Sequence, residues 1–342
     1  MPTYLIENTT HQHLKMLFEL RKKIYSDSFH VTQENTYLEL GFNLIANRQD
    51  TKTFMETNDS FCTGLCIIYP SQNSQEIFFG FFENSGTENA ITQFFESLIK
   101  SCKKEGYIKL KGPVNGSTFL PYRFISESIN NEPGFTGELN QRLDYHKAVM
   151  SCNPTQIIEY KSGLRTYFDN LIKISKPYLD KYVLKELDIT TYTNIPIQTA
   201  RNMYDASEKI FQNNWGYEPI NFDVFCKRFF SHYNQNECKL HQGNTVINIT
   251  IENNFVGFAY FQTNYDNALI VKTLALDPAF QKHGLGNACV AWIHLWAKEN
   301  QINKCIYSFI QLDNRVKNMP HDDAVIFRYY AVYEFNLTSA IS

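Results

Sequence analysis

The chain reads as an α/β protein with a mixed sheet, built as two copies of one succession of elements. Three observations lead there. Its 342 residues are long for one domain and comfortable for two. Matched to two-residue and 3.6-residue periods, both halves run through the same order, β-α-α-β-β-β-α-β. Residues 268–299 set an apolar strand, a glycine-bearing loop and an amphipathic helix directly one after another. With 43% hydrophobic and 20% charged residues, the composition is that of a globular chain rather than a disordered one.

In the first half, residues 4–7 make a short strand, and Thr9 or Thr10 caps a helix to about Asp27 with Leu14, Leu17, Phe18 and Ile24 inward. A second helix covers 34–46. Strands at 52–57 and 61–69 flank a turn at Asn58-Asp59, and 76–83 is a further buried strand. Residues 89–105 form a helix with Ile91, Phe94, Phe95, Leu98 and Cys102 on its inner face; Gly106 stops it, and 107–111 returns as a strand. Residues 112–118 are turn-rich and 130–137 are loop. Residues 165–186 are mostly helical despite Pro177, too apolar for a solvated linker, and are expected to bridge the copies. The expected division is therefore 1–160, a helical bridge at 161–187, and 188–342.

The second half repeats the order. A strand at 189–193 precedes helices at 197–211 and 221–233, joined by the loop around Trp215-Gly216. Residues 245–252 and 255–262 form a hairpin across Asn253-Asn254. The strand at 268–276 is apolar apart from Lys272 and Thr273, which suits a strand buried on both faces, and Asp277-Pro278 ends it. The helix 286–299 carries Ala288, Ala291, Trp292, Leu295 and Trp296 at three- and four-residue spacing. A strand follows at 305–310, and 327–335 is strand-like.

The loop between strand and helix, Gln281-Lys282-His283-Gly284-Leu285-Gly286, is a recipe for binding a pyrophosphate. Glycines let backbone approach a ligand, and the first N–H groups of a helix lack partners and carry the positive end of its dipole. The three-glycine dinucleotide fingerprint and the Gly-Lys-Ser/Thr of a P-loop are both absent. What is present resembles motif A of the GNAT acyltransferase superfamily: Gln or Arg, two residues, Gly, one residue, then Gly or Ala, after a hydrophobic strand ending in Asp-Pro. The first copy has no such signature at Asn84-Ser85-Gly86-Thr87. The chain thus resembles a tandem GNAT-like protein with the acyl-CoA motif only in its C-terminal copy, and Gly112-Pro113-x-Asn115 with Trp215-Gly216 is similar to a subgroup of bacterial tandem proteins.

The resemblance implies acetyl-CoA, or another acyl-CoA, as the cofactor. Leu274, Ala275 and Leu276 would pair their backbone with the pantetheine arm. Gln281, Lys282, His283, Gly284, Leu285, Gly286 and Asn287 would hold the pyrophosphate. Asn314 matches an asparagine that opens the final helix in relatives. Many relatives place a tyrosine acid seven residues further on; here His321 stands there, after Pro320. His321 is thus the expected acid or base, since imidazole titrates near neutral pH, and Tyr330 is the reserve. A surface histidine beside Asp322 and Asp323 is the competing account of His321.

Composition narrows the rest. Net charge of −3 gives no general reason to expect nucleic acid, and the cluster Lys100, Lys103, Lys104, Lys109 and Lys111 reads as a solvated helix end and strand. No apolar run reaches the length of a membrane span, and the first residues do not form a signal peptide. The eight cysteines are scattered, no metal site is expected, and buried thiols in a reducing cytoplasm are the reading. The leading function is an acyl-CoA-dependent N-acyltransferase acting on a small-molecule or peptide amine. The alternative is a non-catalytic acyl-CoA-binding or partner-binding protein; transfer from aminoacyl-tRNA is disfavoured by the acidic balance.

Overall fold

The computed structural model describes residues 3–25, 29–58, 61–71, 75–130, 132–183, 187–264, 266–281, 283–312 and 324–338. The first elements in chain order are β1 (Thr3–Ile6), α1 (His11–Tyr25), α2 (Phe29–Ile45), β2 (Lys52–Asn58), β3 (Phe61–Pro70), β4 (Glu76–Asn84), α3 (Glu88–Lys104) and β5 (Lys109–Gly112). Then come β6 (Phe124–Ser128), α4 (Asp144–Ser151), β7 (Gln156–Arg165), α5 (Asp169–Val183), β8 (Leu187–Tyr192), β9 (Asn194–Pro196), α6 (Ile197–Phe211) and α7 (Phe222–Phe229). The last are β10 (Phe230–Tyr233), β11 (Glu237–Leu240), β12 (Asn244–Ile251), β13 (Asn254–Thr263), β14 (Leu269–Leu276), α8 (Leu285–Glu299), β15 (Cys305–Gln311) and β16 (Ala324–Asn336).

These elements belong to two compact units that do not follow chain order. The first takes the chain up to Tyr160, Trp215–Ile220, and the chain from Arg328 onward; the second takes Lys161–Asn214 and Asn221–Phe327. The division expected from the sequence differs in three places. Residues 161–187 are no separate bridge but part of the second unit, while 215–220 and the end of β16 fall to the first. Pairing explains the last of these. β5 needs a partner for its free edge, and Tyr333–Asn336 of β16 supply it, opposite Gly112 to Lys109.

In the first unit, β1, β2, β3 and β4 pair antiparallel in sequence and β4 pairs parallel with β5. β16 lies antiparallel to both β5 and β6. Helix α3 forms where Thr87 caps Ala90 N–H and Ile91, Phe94, Phe95, Leu98 and Cys102 recur along one face. That face meets Phe79 and Phe82 of β4, Tyr145 and Val149 of α4, and Tyr333 and Phe335 of β16 in one core. Phe82 is its hub, with ring centroids of Phe95 and Tyr145 at 4.6 and 4.8 Å.

In the second unit, β8, β12, β13 and β14 form antiparallel neighbours and β14 pairs parallel with β15. Its core joins Ile247, Ala259, Phe261 and Leu276 of the sheet to Leu285, Ala288 and Ala291 of α8 and to Phe168, Ile172, Leu179 and Tyr182 at and along α5. The helix expected at 221–233 ends at Phe229; Phe230–Tyr233 instead joins a small antiparallel sheet with β11 and β9. Among the described residues no helix is long and apolar enough to cross a membrane.

Candidate functional site

The second unit carries a forked pair of strands. β14 and β15 share a ladder only at Leu269, Ile270 and Val271, opposite Cys305, Ile306 and Tyr307, although both strands run on. The register of β14 against β13 slips between Tyr260 and Phe261, leaving Lys272 as the extra residue of a bulge where the fork begins. Lys272 Nζ lies 4.3 Å from the ring centroid of Phe309, itself at φ 56° on β15.

Beyond that point, among the described residues, one edge of β14 has no strand beside it in the ladder. Asp277 N–H donates to Val256 O at 2.9 Å. By the alternation of an antiparallel ladder, the backbone groups of Leu276, opposite Gly257, and of Leu274, opposite Ala259, then point away from β13. The Leu276 carbonyl shows this direction: it accepts from the Gln281 side-chain amide at 2.9 Å. An edge of this kind can pair with an extended, amide-bearing ligand.

The loop after β14 is pinned at several points. Asp277 Oδ1 accepts from Ala279 N–H at 2.9 Å and its Oδ2 pairs with Lys209 of α6 at 2.7 Å. The hydrogen bond from Lys209 holds this carboxyl below its ordinary range. Gly284, at φ 90°, turns the chain into α8. The first helical bond runs from Ala288 N–H to Gly284 O at 3.0 Å. Leu285, Gly286 and Asn287 therefore form the first turn, whose N–H groups precede the helical ladder and favour an anion.

The two glycines differ in what they do. A Cβ at 284 would collide with the edge of the Tyr178 ring of α5, at its Cδ1, whereas a Cβ at 286 would meet only Leu276 Cδ1, at an ordinary 3.8 Å. Packing and backbone geometry thus explain the first glycine. They do not require the second, which leaves room for something from outside the chain. The α5 residue Tyr182 adds a further tie, its hydroxyl donating to His283 O at 3.1 Å.

The first unit has the corresponding fork, filled by the chain itself. β4 and β5 pair only where Glu76, Ile77 and Phe78 face Lys109, Leu110 and Lys111. The next residues turn into the gap: Val114 N–H donates to Phe79 O at 2.8 Å, and Phe81 N–H donates to Asn115 Oδ1 at 2.6 Å. Tyr69 OH donates to Val114 O at 2.9 Å and accepts from Gly116 N–H at 3.1 Å, which secures the plug. Gly80 is required here, because a Cβ would collide with the Val114 carbonyl. At the end of β4, Glu83 is committed to buried Arg21 and to the hydroxyls of Tyr25 and Tyr145, both at 2.8 Å. Burial pushes Glu34, the other partner of Arg21, up to about 7.

Of the residues singled out in the sequence, the fold brings Leu274, Ala275, Leu276, Gln281, His283, Gly284, Leu285, Gly286 and Asn287 together at the fork and loop. The Gln281 side chain is a staple back to the strand. Lys282, Asn314 and His321 lie outside the described residues. Tyr330 belongs to the first unit, is 1% exposed, and its hydroxyl donates to Glu138, which also pairs with Arg328. Sequence reading missed Tyr178 and Tyr182 as neighbours of the loop. Their four-residue spacing marked a helix face, but nothing local said which helix it would meet.

With this geometry in hand, the comparisons take a definite meaning. The model of the acetyltransferase (GNAT) family matches residues 202–317, a stretch that contains the fork, the loop and α8. No curated protein matches the chain. Among solved structures, a tandem GNAT protein from the clavulanic acid biosynthesis pathway superposes with a TM-score of 0.55 at 8% identity, over 99% of this chain and 100% of that one. The GCN5-related glucosamine N-acetyltransferase region of a fungal multi-domain β-N-acetylglucosaminidase gives 0.56 at 10% identity, over 98% of this chain. The present chain spans only 38% of that longer protein. A GCN5-related N-acetyltransferase from Anabaena variabilis gives 0.55 at 9% identity, over 98% of this chain and 73% of that one. At such identities the likeness is one of fold.

Proposed function

We propose, from the premise that this chain belongs to the GNAT superfamily and carries the fold in tandem, that it moves an acyl group from acyl-CoA to an amine through one CoA site, in the second unit. Acetyl is the default acyl group. The observation that carries the reading is the contrast between the forks: Val114 and Asn115 occupy the edge of β4, while the ladder of β14 with β15 stops at Val271 and a glycine-bearing helix start follows.

The residues present fit the donor. The Leu274 backbone and the Leu276 N–H would pair with the amides of the pantetheine arm, and the first turn of α8 would hold the pyrophosphate. Direct transfer then asks little of the protein. The amine nitrogen, having lost a proton, bonds to the thioester carbon; the carbon–sulfur bond breaks, and the thiolate takes up a proton. A backbone N–H of β14 not taken by the arm would polarise the carbonyl as charge builds on its oxygen. His321 is the proposed proton carrier, by its place in the sequence.

Calorimetric titration with acetyl-CoA tests the reading, with one site per chain expected. A stoichiometry near two would mean that the first unit also binds, and no binding would remove the acyl-CoA function altogether. Release of free CoA with a panel of amines, amino acids and peptides separates an acyltransferase from a protein that binds acyl-CoA without turnover.

A further inference from the structure

We infer that Tyr178 of α5 is a binding residue for the nucleotide half of acyl-CoA, the face on which its adenine stacks. The inference rests on the acyl-CoA reading and extends it to a helix that lies before the family match, which begins at residue 202. Helix α5 packs along α8, with Ile172, Leu179 and Tyr182 in the shared core. Tyr182 ties the helix to the His283 carbonyl at 3.1 Å. Tyr178, one turn earlier, lays the edge of its ring against Gly284, at the loop where the pyrophosphate is proposed to sit.

The ring is not consumed by that contact: Tyr178 is 40% exposed. Ile174, four residues before it, is 45% exposed, and Lys181, three residues after, is exposed as well. These three share one face of α5, so an apolar and aromatic surface leads away from the phosphate loop with a cation beside it. A ligand that leaves that loop as a phosphorylated adenosine matches the surface in chemistry. Its base has a π-face for the tyrosine, and its phosphate a partner in the lysine. Leu171, Ile172, Leu179 and Tyr182 fill the buried face of α5, and Tyr178 stands at the margin of that face with part of its ring in solvent beyond the contact with Gly284.

The test compares acetyl-CoA with acetyl-4′-phosphopantetheine, which lacks the adenosine together with its 3′-phosphate and one phosphate of the pyrophosphate. Tyr178→Ala and Tyr178→Leu should weaken acetyl-CoA about tenfold, the scale on which aromatic stacking of a base is lost, and leave the truncated donor within about twofold. Tyr178→Phe and Tyr178→Trp keep an aromatic face and should bind as the wild type does. Tyr178→Leu keeps apolar bulk against Gly284, so the comparison survives if the alanine variant is poorly folded. Unchanged acetyl-CoA affinity in the leucine variant overturns the inference, as does equal weakening of both donors, which would make the ring a prop for the loop. Failure of the wild type to bind acetyl-CoA at all would instead sink the parent reading.

Discussion

Substituting each loop glycine in turn should separate folding from binding, because the two glycines exist for different reasons. Gly284 has φ 90°, and its Cβ position is taken by the Tyr178 ring. A left-handed backbone costs a non-glycine residue roughly 1–2 kcal/mol, and the ring must also move, so Gly284→Ala should cost about 2–3 kcal/mol. At about 2–4 °C per kcal/mol for units of this size, the melting temperature should fall by roughly 4–12 °C. Gly286 lies in the first turn of α8, and a Cβ there meets nothing closer than 3.8 Å. Gly286→Ala should leave stability unchanged or raise it by up to about 1 kcal/mol, since alanine is the better helix former. Alanine is also admitted at this place in the motif that the loop resembles, so its methyl should be tolerated by the ligand, whereas Gly286→Glu adds a negative charge facing the pyrophosphate. Differential scanning calorimetry and acetyl-CoA titration should therefore separate the two positions: Gly284→Ala melts early, while Gly286→Ala melts normally and binds within about threefold of the wild type, a change of less than about 1 kcal/mol. The Glu variant should not bind. Wild-type affinity in Gly286→Glu would refute the placement of the pyrophosphate at this helix start.

Two further outcomes follow from titratable groups. His294, on the buried face of α8 with its ring bonded to Val290 O and Tyr307, has its pKa pushed down to about 4, chiefly by burial. The unfolded chain takes up that proton near pH 6.5, so the contribution is complete above pH 6.5 and is lost as pH falls from there to 4, about 3 kcal/mol in all. Glu34, pushed up to about 7 by burial, acts in the opposite sense, so the comparison must be with His294→Gln, whose melting temperature should fall less on acidification from pH 7.5 to 4.5; identical profiles would contradict the assignment. At the proposed chemical step, His321→Ala should lower kcat at least about tenfold while the acetyl-CoA dissociation constant stays within about threefold; an unchanged kcat would leave positioning, with water or substrate as base, as the mechanism.

The strand, loop and helix at 268–299 were legible in the sequence because each is written in a local code. An apolar run, a proline stop, glycines where the backbone must turn or be approached, and a 3.6-residue apolar stripe need no knowledge of the rest of the chain. The same codes located most of the strands and helices of both halves. They went astray at 230–233, where Phe229 and Phe230 are apolar enough for either a helix or a strand and the small sheet decided the matter.

What the sequence could not hold is which element meets which. A period of two says that a strand has a buried face, not whose edge it joins, so nothing in residues 324–336 announced that their second half would complete the sheet of the first unit beside β5. The apolar spacing of α5 was equally silent about α8, and with it about Tyr178 and Tyr182 at the glycine loop. The plug of the first fork depends on the same kind of fact. Val114 and Asn115 look like turn residues, and only their hydrogen bonds to Phe79 and Phe81 reveal that they stand where the second fork is proposed to take its ligand. Local propensity acts through neighbours in the chain; strand partners and helix contacts are set by where burial and hydrogen bonding can both be satisfied across a hundred residues or more, and that is decided only when the whole chain is folded.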